Sequence, residues 1–146
     1  MVDEAHPTPA VGAVIVHDGR LLLIRRAGGA YAGHWAVPGG RQRFGESMAD
    51  AVQRETREET GLEVVVGEVA WTGDIIDVST PPGYHFTVVD FFAAAVGGEL
   101  RAGDDAADAC WVPLAEVRDL PLTPTMYSLL DRIGGVSRPL PPSDTD

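Results

Sequence analysis

The sequence predicts a single mixed α/β domain, on three observations. Two β-rich runs flank an Asp18-Gly19 pair near the start, a helical stretch over 47–60 sits between strand-like segments, and a second helical stretch opens at Thr123-Pro124. Strands before and after a central helix, with another helix at the end, fit a sheet covered by helices. The 146 residues suffice for one substantial core, and 45% apolar with 23% charged residues is ordinary for a globular chain.

Taken in order, residues 1–9 carry two acids and two prolines and are expected to form a flexible arm. The runs 11–16 and 21–24 are strand-like, and the Asp-Gly between them predicts a two-residue hairpin turn. A Gly/Ala-rich loop over 27–33 follows, and Pro38-Gly39-Gly40 punctuates a further loop. In the helix over 47–60, Ser47 is the expected N-cap, Asp50 completes a capping-box-like pair, and Gly61 is the expected stop. Two strands are expected over 62–66 and 68–78, then a turn over 79–83 and a long strand over 84–96 that Gly97-Gly98 breaks. The segment 110–112 predicts a strand, 114–118 one helical turn, and Thr123 with Pro124 the N-cap and first residue of the last helix. The domain is expected to span 10–134, with a disordered Pro-rich tail over 135–146.

Charge and composition exclude several functions. With a formal net charge of −11 there is no Lys/Arg surface suited to a nucleic-acid polymer or to an anionic membrane. An anionic small molecule would need a local cation or a metal to screen the carboxylates. Cys110 is the lone cysteine, so no internal disulfide forms, which suits a reducing compartment; its apolar surroundings predict a packing role. The chain starts without a basic-then-apolar leader and has no apolar run of about 18 residues, so it reads as cytoplasmic, with no membrane span.

The chemistry concentrates on the first helix. Glu55, Glu58 and Glu59 stand at i, i+3 and i+4, hence on one helical face, where like charges repel. A divalent cation with a preference for hard oxygen ligands turns that repulsion into binding, and Mg²⁺ takes such ligands together with waters and substrate phosphates. A bland reading, a solvated acidic face, competes until the neighbours are counted. Gly39 and Gly40 offer bare backbone whose carbonyls reach a metal and whose amides approach a phosphate. Arg54 is able to hold a carboxylate in a fork of hydrogen bonds, and Glu46 is the expected partner, tying the loop to the helix.

These residues resemble the Nudix box, a glycine, five residues, a glutamate, seven residues, then Arg-Glu-aliphatic-x-Glu-Glu-x-Gly-aliphatic. Gly40, Glu46, Arg54, Glu55, Glu58, Glu59, Gly61 and Leu62 match with both spacings, and the one departure is Thr56, where an aliphatic residue is usual. The resemblance implies a Nudix fold, an α/β/α sandwich with a central mixed β-sheet. It implies Glu58 and Glu59 as the principal Mg²⁺ ligands (Mn²⁺ a substitute), Glu55 as a third ligand or general base, and the Gly40 carbonyl in the metal shell. Arg54 and Glu46 would orient the carboxylates.

Weaker candidates for substrate binding are Arg26 at a strand end, Gly39 in the turn, Asp104 and Asp105 in the loop before Trp111, and His85 at the start of a strand; for His85 a sheet histidine is the competing reading, and Trp35 is expected to pack under the Gly loop. The segments around Tyr84–Phe91, Gly97–Leu100 and Asp104–Val112 are similar to an ADP-ribose pyrophosphatase-like subgroup. That similarity implies Mg²⁺-dependent hydrolysis of a phosphoanhydride in a nucleoside diphosphate derivative. Two alternatives stand beside it: a nucleoside triphosphate pyrophosphohydrolase that sanitises oxidised nucleotides, and a non-catalytic nucleotide sensor. A homodimer, common in the family, is the one protein partner the resemblance suggests.

Overall fold

The computed structural model describes residues 6–29, 31–103 and 106–134. Strand β1 (Thr8–Val14) lies between β5 (Gly39–Arg41) and β7 (Tyr84–Gly98), and β6 (Leu62–Asp77) flanks β7, giving the order β5-β1-β7-β6. The β1–β7 pairing is parallel and the other two are antiparallel, so this sheet is mixed. A second sheet joins β2 (Val16–His17), β3 (Arg20–Arg26) and β4 (Trp35–Ala36), with β8 (Ala106–Pro113) on the other side of β3. Helix α1 (Met48–Thr60) packs on β1, β5 and β6, a 3₁₀ helix (Leu114–Asp119) follows β8, and α2 (Pro124–Gly134) packs against β6.

Two apolar cores explain the sandwich. Alternate residues of β1 point to opposite faces. Val11 and Ala13, with Ile15, Leu22, Ala51, Val52 and Val64, form the core under α1. Val14 points the other way, into a core with Leu21, Leu23, Met126, Leu129 and Leu130 under α2.

The helix boundaries follow from local chemistry. Ser47 Oγ accepts the Asp50 N–H at 3.0 Å, satisfying one orphan donor of the first turn. Gly61 ends α1 in the left-handed region at φ 81°, its N–H donating to the Arg57 carbonyl.

Several expectations are corrected by tertiary pairing. Thr8 and Pro9, assigned to the arm, belong to β1, where they pair with Phe86 and Thr87. Pro9 is tolerated because β5 pairs only from Ala10 onward, so no ladder donor is needed there. The run 11–16 is divided between two sheets: only Val16 and His17 form the hairpin with β3 across Asp18 and Gly19, both at positive φ. Gly39-Gly40 forms a strand rather than a loop, because two backbones meet where a Cβ on Gly39 would overlap the Val11 carbonyl. The segments 62–66 and 68–78 make one strand, with register shifts between Val66, Val69 and Trp71 absorbing the extra residues. β7 continues through Gly97-Gly98 to pair with Leu62 and Glu63. Asp104, Asp105, residues 1–5 of the arm and the tail over 135–146 lie outside the described residues.

Candidate active site

The helical periodicity of α1 sets Arg54, Glu55, Glu58 and Glu59 beside the turn that leads into and out of β5. Arg54 is the hub. Its Nε and Nη2 donate to the two carboxylate oxygens of Glu46 at 2.6 and 2.9 Å, while Nη1 donates to Glu55 Oε2 at 2.9 Å and Glu58 Oε1 at 3.2 Å. Nη2 also reaches the Arg41 carbonyl at 3.0 Å, so one side chain joins β5, the 42–47 loop and the helix. Glu46 accepts a further bond from the Arg43 N–H at 3.0 Å, and its own carbonyl accepts from Gln42 Nε2 at 2.7 Å. The Arg54 fork, then the Arg43 amide, hold the Glu46 carboxyl down to about 2. Glu46 in turn pushes the Arg54 guanidinium above its ordinary range.

The glycine pair shapes the other wall. The Gly39 N–H donates to Glu59 Oε1 at 2.8 Å, and Glu59 is 8% exposed. A Cβ on Gly40 would overlap the Glu55 carboxyl, so only glycine lets β5 lie against that side chain. Burial raises the Glu55 carboxyl above its ordinary value, and the Arg54 hydrogen bond holds part of that rise back. The C-terminal end of α1 is tied down by the loop after β7: the Arg101 N–H donates to the Thr60 carbonyl at 2.8 Å and the Gly103 N–H to the Glu59 carbonyl at 3.1 Å. Gly103 immediately precedes Asp104 and Asp105.

Among the described residues, no three His, Cys, Asp or Glu side chains close into a cage around a metal position. The donor set nonetheless suits a hard cation in an open site. Glu55 and Glu58 each engage Arg54 through one oxygen, leaving the second without a hydrogen bond among the described residues, and the Gly40 backbone lies against Glu55. Magnesium is commonly bound by one or two carboxylates, with waters and phosphate oxygens completing the octahedron.

The structure thus brings together Glu46, Arg54, Glu55, Glu58, Glu59, Gly39 and Gly40. Arg26 lies at the far end of β3, where its N–H donates to the His34 carbonyl and closes the loop after it. Its charge reaches Tyr84, whose hydroxyl is pushed up by burial, Asp77 and Tyr31 and held back by Arg26. His85 is bonded to Asp74 at 2.9 Å on β6. It occupies the β7 face that carries Phe91 and Ala93 further along, near the strand start and away from the helix. Trp35 packs against the α2-side core, with Arg25 over its ring at 6.0 Å. Cys110 packs on the same core from β8, and burial, then Asp108, raises its thiol. A hollow of about 620 Å³ between the β6 bulge and α2, lined by Val69, Trp71 and Arg132, contains none of the acidic cluster.

Asp90 was passed over by sequence reasoning. It lies in an apolar run on β7, is 6% exposed, and burial pushes its carboxyl up to about 7. A charge inside a β-branched and aromatic run was the available signal.

Comparison with known proteins places the chain in a family. Residues 6–133 match the NUDIX domain family model. An ADP-ribose pyrophosphatase of Methanocaldococcus jannaschii is 39% identical over 104 residues, 71% of this chain and 60% of that protein, so the match spans less than two thirds of the relative. A CTP pyrophosphohydrolase of Escherichia coli is 34% identical, across 83% of this chain and 87% of its own. The crystal structure of a MutT NUDIX hydrolase from Burkholderia pseudomallei superposes with a TM-score of 0.78 at 32% identity, covering 88% and 98% of the two chains. The fold, a mixed sheet with helices packed on it, is the one that this structural neighbour has. The chain belongs to the Nudix hydrolase family. No helix among the described residues is long and apolar enough to cross a membrane.

Proposed function

We propose that this chain hydrolyses the phosphoanhydride bond of a nucleoside diphosphate linked to a second group, of the ADP-ribose kind, with Mg²⁺ held by Glu58 and Glu59. The observation that carries the reading is the Arg54 hub, which collects Glu46, Glu55 and Glu58 beside a Gly39-Gly40 strand whose amide holds Glu59. A merely solvated acidic face would not need five hydrogen bonds from one buried-stem guanidinium. The likeness to an ADP-ribose pyrophosphatase supports the substrate class.

Each side chain has a physical task in this scheme. Glu58 and Glu59 supply hard oxygen ligands, and the Gly40 carbonyl joins them. Arg54 and Glu46 fix the carboxylate orientations, so little reorganisation is needed when substrate arrives. Glu55 completes the ligand set or accepts a proton from the attacking water as it adds to phosphorus. Bound Mg²⁺ would neutralise charge on the diphosphate and lower the pKa of a coordinated water. Arg26, Asp104 and Asp105 enter this scheme as candidate substrate-binding residues.

A second reading, pyrophosphohydrolysis of a nucleoside triphosphate, has the support of the CTP pyrophosphohydrolase relative. A nucleotide panel with Mg²⁺ separates the two: AMP released from ADP-ribose supports the first, pyrophosphate released from a triphosphate the second. Binding without turnover of any nucleotide would sink both and leave a sensor. Glu58→Gln should lower turnover at least about 100-fold with an unchanged circular dichroism spectrum; undiminished activity would remove Glu58 from its assigned place.

A further inference from the structure

The turn that joins β5 to α1 is braced at both ends. The Glu46 N–H donates to the Arg43 carbonyl at 3.0 Å, and Gly45 between them has φ 84°, the positive angle that the third residue of such a turn takes. The Arg43 N–H donates back to Glu46 Oε1 at 3.0 Å, and Gln42 Nε2 donates to the Glu46 carbonyl at 2.7 Å. Glu46 is itself gripped by the Arg54 fork, so the turn is tied to the helix that carries the acidic row. These bonds fix the backbone of the two tip residues, Arg43 and Phe44, whose side chains are exposed.

The two arginines beside the row differ in what they have left to give. A guanidinium has five N–H donors. Those of Arg54 are all taken by protein acceptors: Glu46 twice, Glu55, Glu58 and the Arg41 carbonyl. The Arg43 guanidinium has no hydrogen bond or ion pair among the described residues. It still stands close to the row. Burial and then Arg54 dominate the Glu55 carboxyl, and Arg54 dominates that of Glu46, but the Arg43 charge is felt at both and favours their ionised forms. Glu46 cannot recruit it, because its two oxygens already take the Arg54 fork and the Arg43 amide. The four carboxylates of the site outweigh Arg54, and a diphosphate brings further negative charge. Phosphate oxygens are well met by a planar fork of N–H donors, and Arg43 carries a free one at the Glu55 end of the row.

We propose that Arg43 holds the substrate: its guanidinium donates to non-bridging oxygens of the diphosphate at the Glu55 end of the carboxylate row. The proposal rests on the reading of the chain as a nucleotide pyrophosphohydrolase. Because the Arg43 side chain pairs with no carboxylate, removing it subtracts a contact to substrate and leaves the Arg54 hub in place. Phe44, next to it on the same turn, is fully exposed, and its removal takes no charge from the site.

The experiment measures turnover of ADP-ribose and of CTP with Mg²⁺, and calorimetric binding of inorganic pyrophosphate with Mg²⁺, for wild type, Arg43→Gln, Arg43→Lys and Phe44→Ala. Arg43→Gln should lower kcat/KM at least about 10-fold, chiefly by raising KM, and should weaken pyrophosphate binding by a similar factor. Arg43→Lys keeps the charge without the fork and should recover part of both losses. Phe44→Ala should match wild type, and thermal melts should show all three variants folded. If Arg43→Gln keeps the wild-type KM, or loses turnover while pyrophosphate binds as before, Arg43 does not hold the substrate, and the hydrolase reading still stands. An equal loss in Phe44→Ala would put the effect in the turn as a whole and overturn the proposal too. If wild type turns over no nucleotide, the hydrolase reading fails instead. The pyrophosphate affinities of wild type and Arg43→Gln then decide, and equal values overturn the role of Arg43.

Discussion

Thr56 is the one residue of the acidic helix that departs from the family's usual pattern. It is fully buried, and its Oγ1 is a buried polar atom without a hydrogen-bond partner. The neighbouring hydroxyl of Thr60 donates to the Thr56 carbonyl at 2.6 Å instead. An unsatisfied buried hydroxyl costs about 1–3 kcal/mol, and valine has the same shape without it. Thr56→Val should therefore raise the melting temperature by a few degrees, on the order of 2–4 °C per kcal/mol for a chain of this size; a lower melting temperature would mean the hydroxyl has a partner in solution. Asp90 makes the opposite kind of test. Its folded carboxyl sits at about 7 against an ordinary 3.8, through burial. An acid raised on folding contributes stability in full below its unfolded pKa and loses it as pH climbs through the folded one. Against wild type, Asp90→Asn should be near neutral at pH 4 and stabilising by a few kcal/mol at pH 8. Urea melts at the two pH values check this, and a difference that does not grow between them would refute it.

At the scale of elements, the junction of α1 and β5 matters most. The helix docks on a strand that has no side chains at Gly39 and Gly40, which lets Glu55 and Glu59 meet backbone directly. Gly40→Ala would thrust a methyl into the Glu55 carboxyl. The expected result is a loss of activity of at least about 10-fold with helix content preserved, since the caps at Ser47 and Gly61 are untouched. Full activity in that variant would show that the close approach is dispensable. The same junction explains what was legible beforehand. The caps, the i, i+3, i+4 carboxylates and the Arg54–Glu46 pair lie within one short stretch of chain, so their geometry follows from helical periodicity. The Pro-Gly-Gly segment looks like a loop in isolation and becomes a strand only because β1 lies beside it.

Taken as a whole molecule, the chain folds with a formal net charge of −11, and Glu55, Glu58 and Glu59 are gathered on one face of one helix. Folding brings those like charges together, and a ligand that binds only the folded state stabilises it by mass action. Mg²⁺ at millimolar concentration should raise the melting temperature beyond the effect of a monovalent salt at matched ionic strength, and Glu58→Gln should lose most of that increment. Equal shifts from both salts would argue against a specific site and for general screening.

The sequence by itself determined the helix, its ends, its acidic face and the family pattern, because each depends on residues within a few turns of one another. The tertiary structure decided which strands share a sheet, where the run 11–16 divides, and that Asp90 is buried. Those outcomes arise from pairings such as Gly12 with Asp90 and Gly12 with Gly39, between segments distant in the chain. Local propensity contains no record of them, because a strand's partner is chosen by which apolar faces can be covered together.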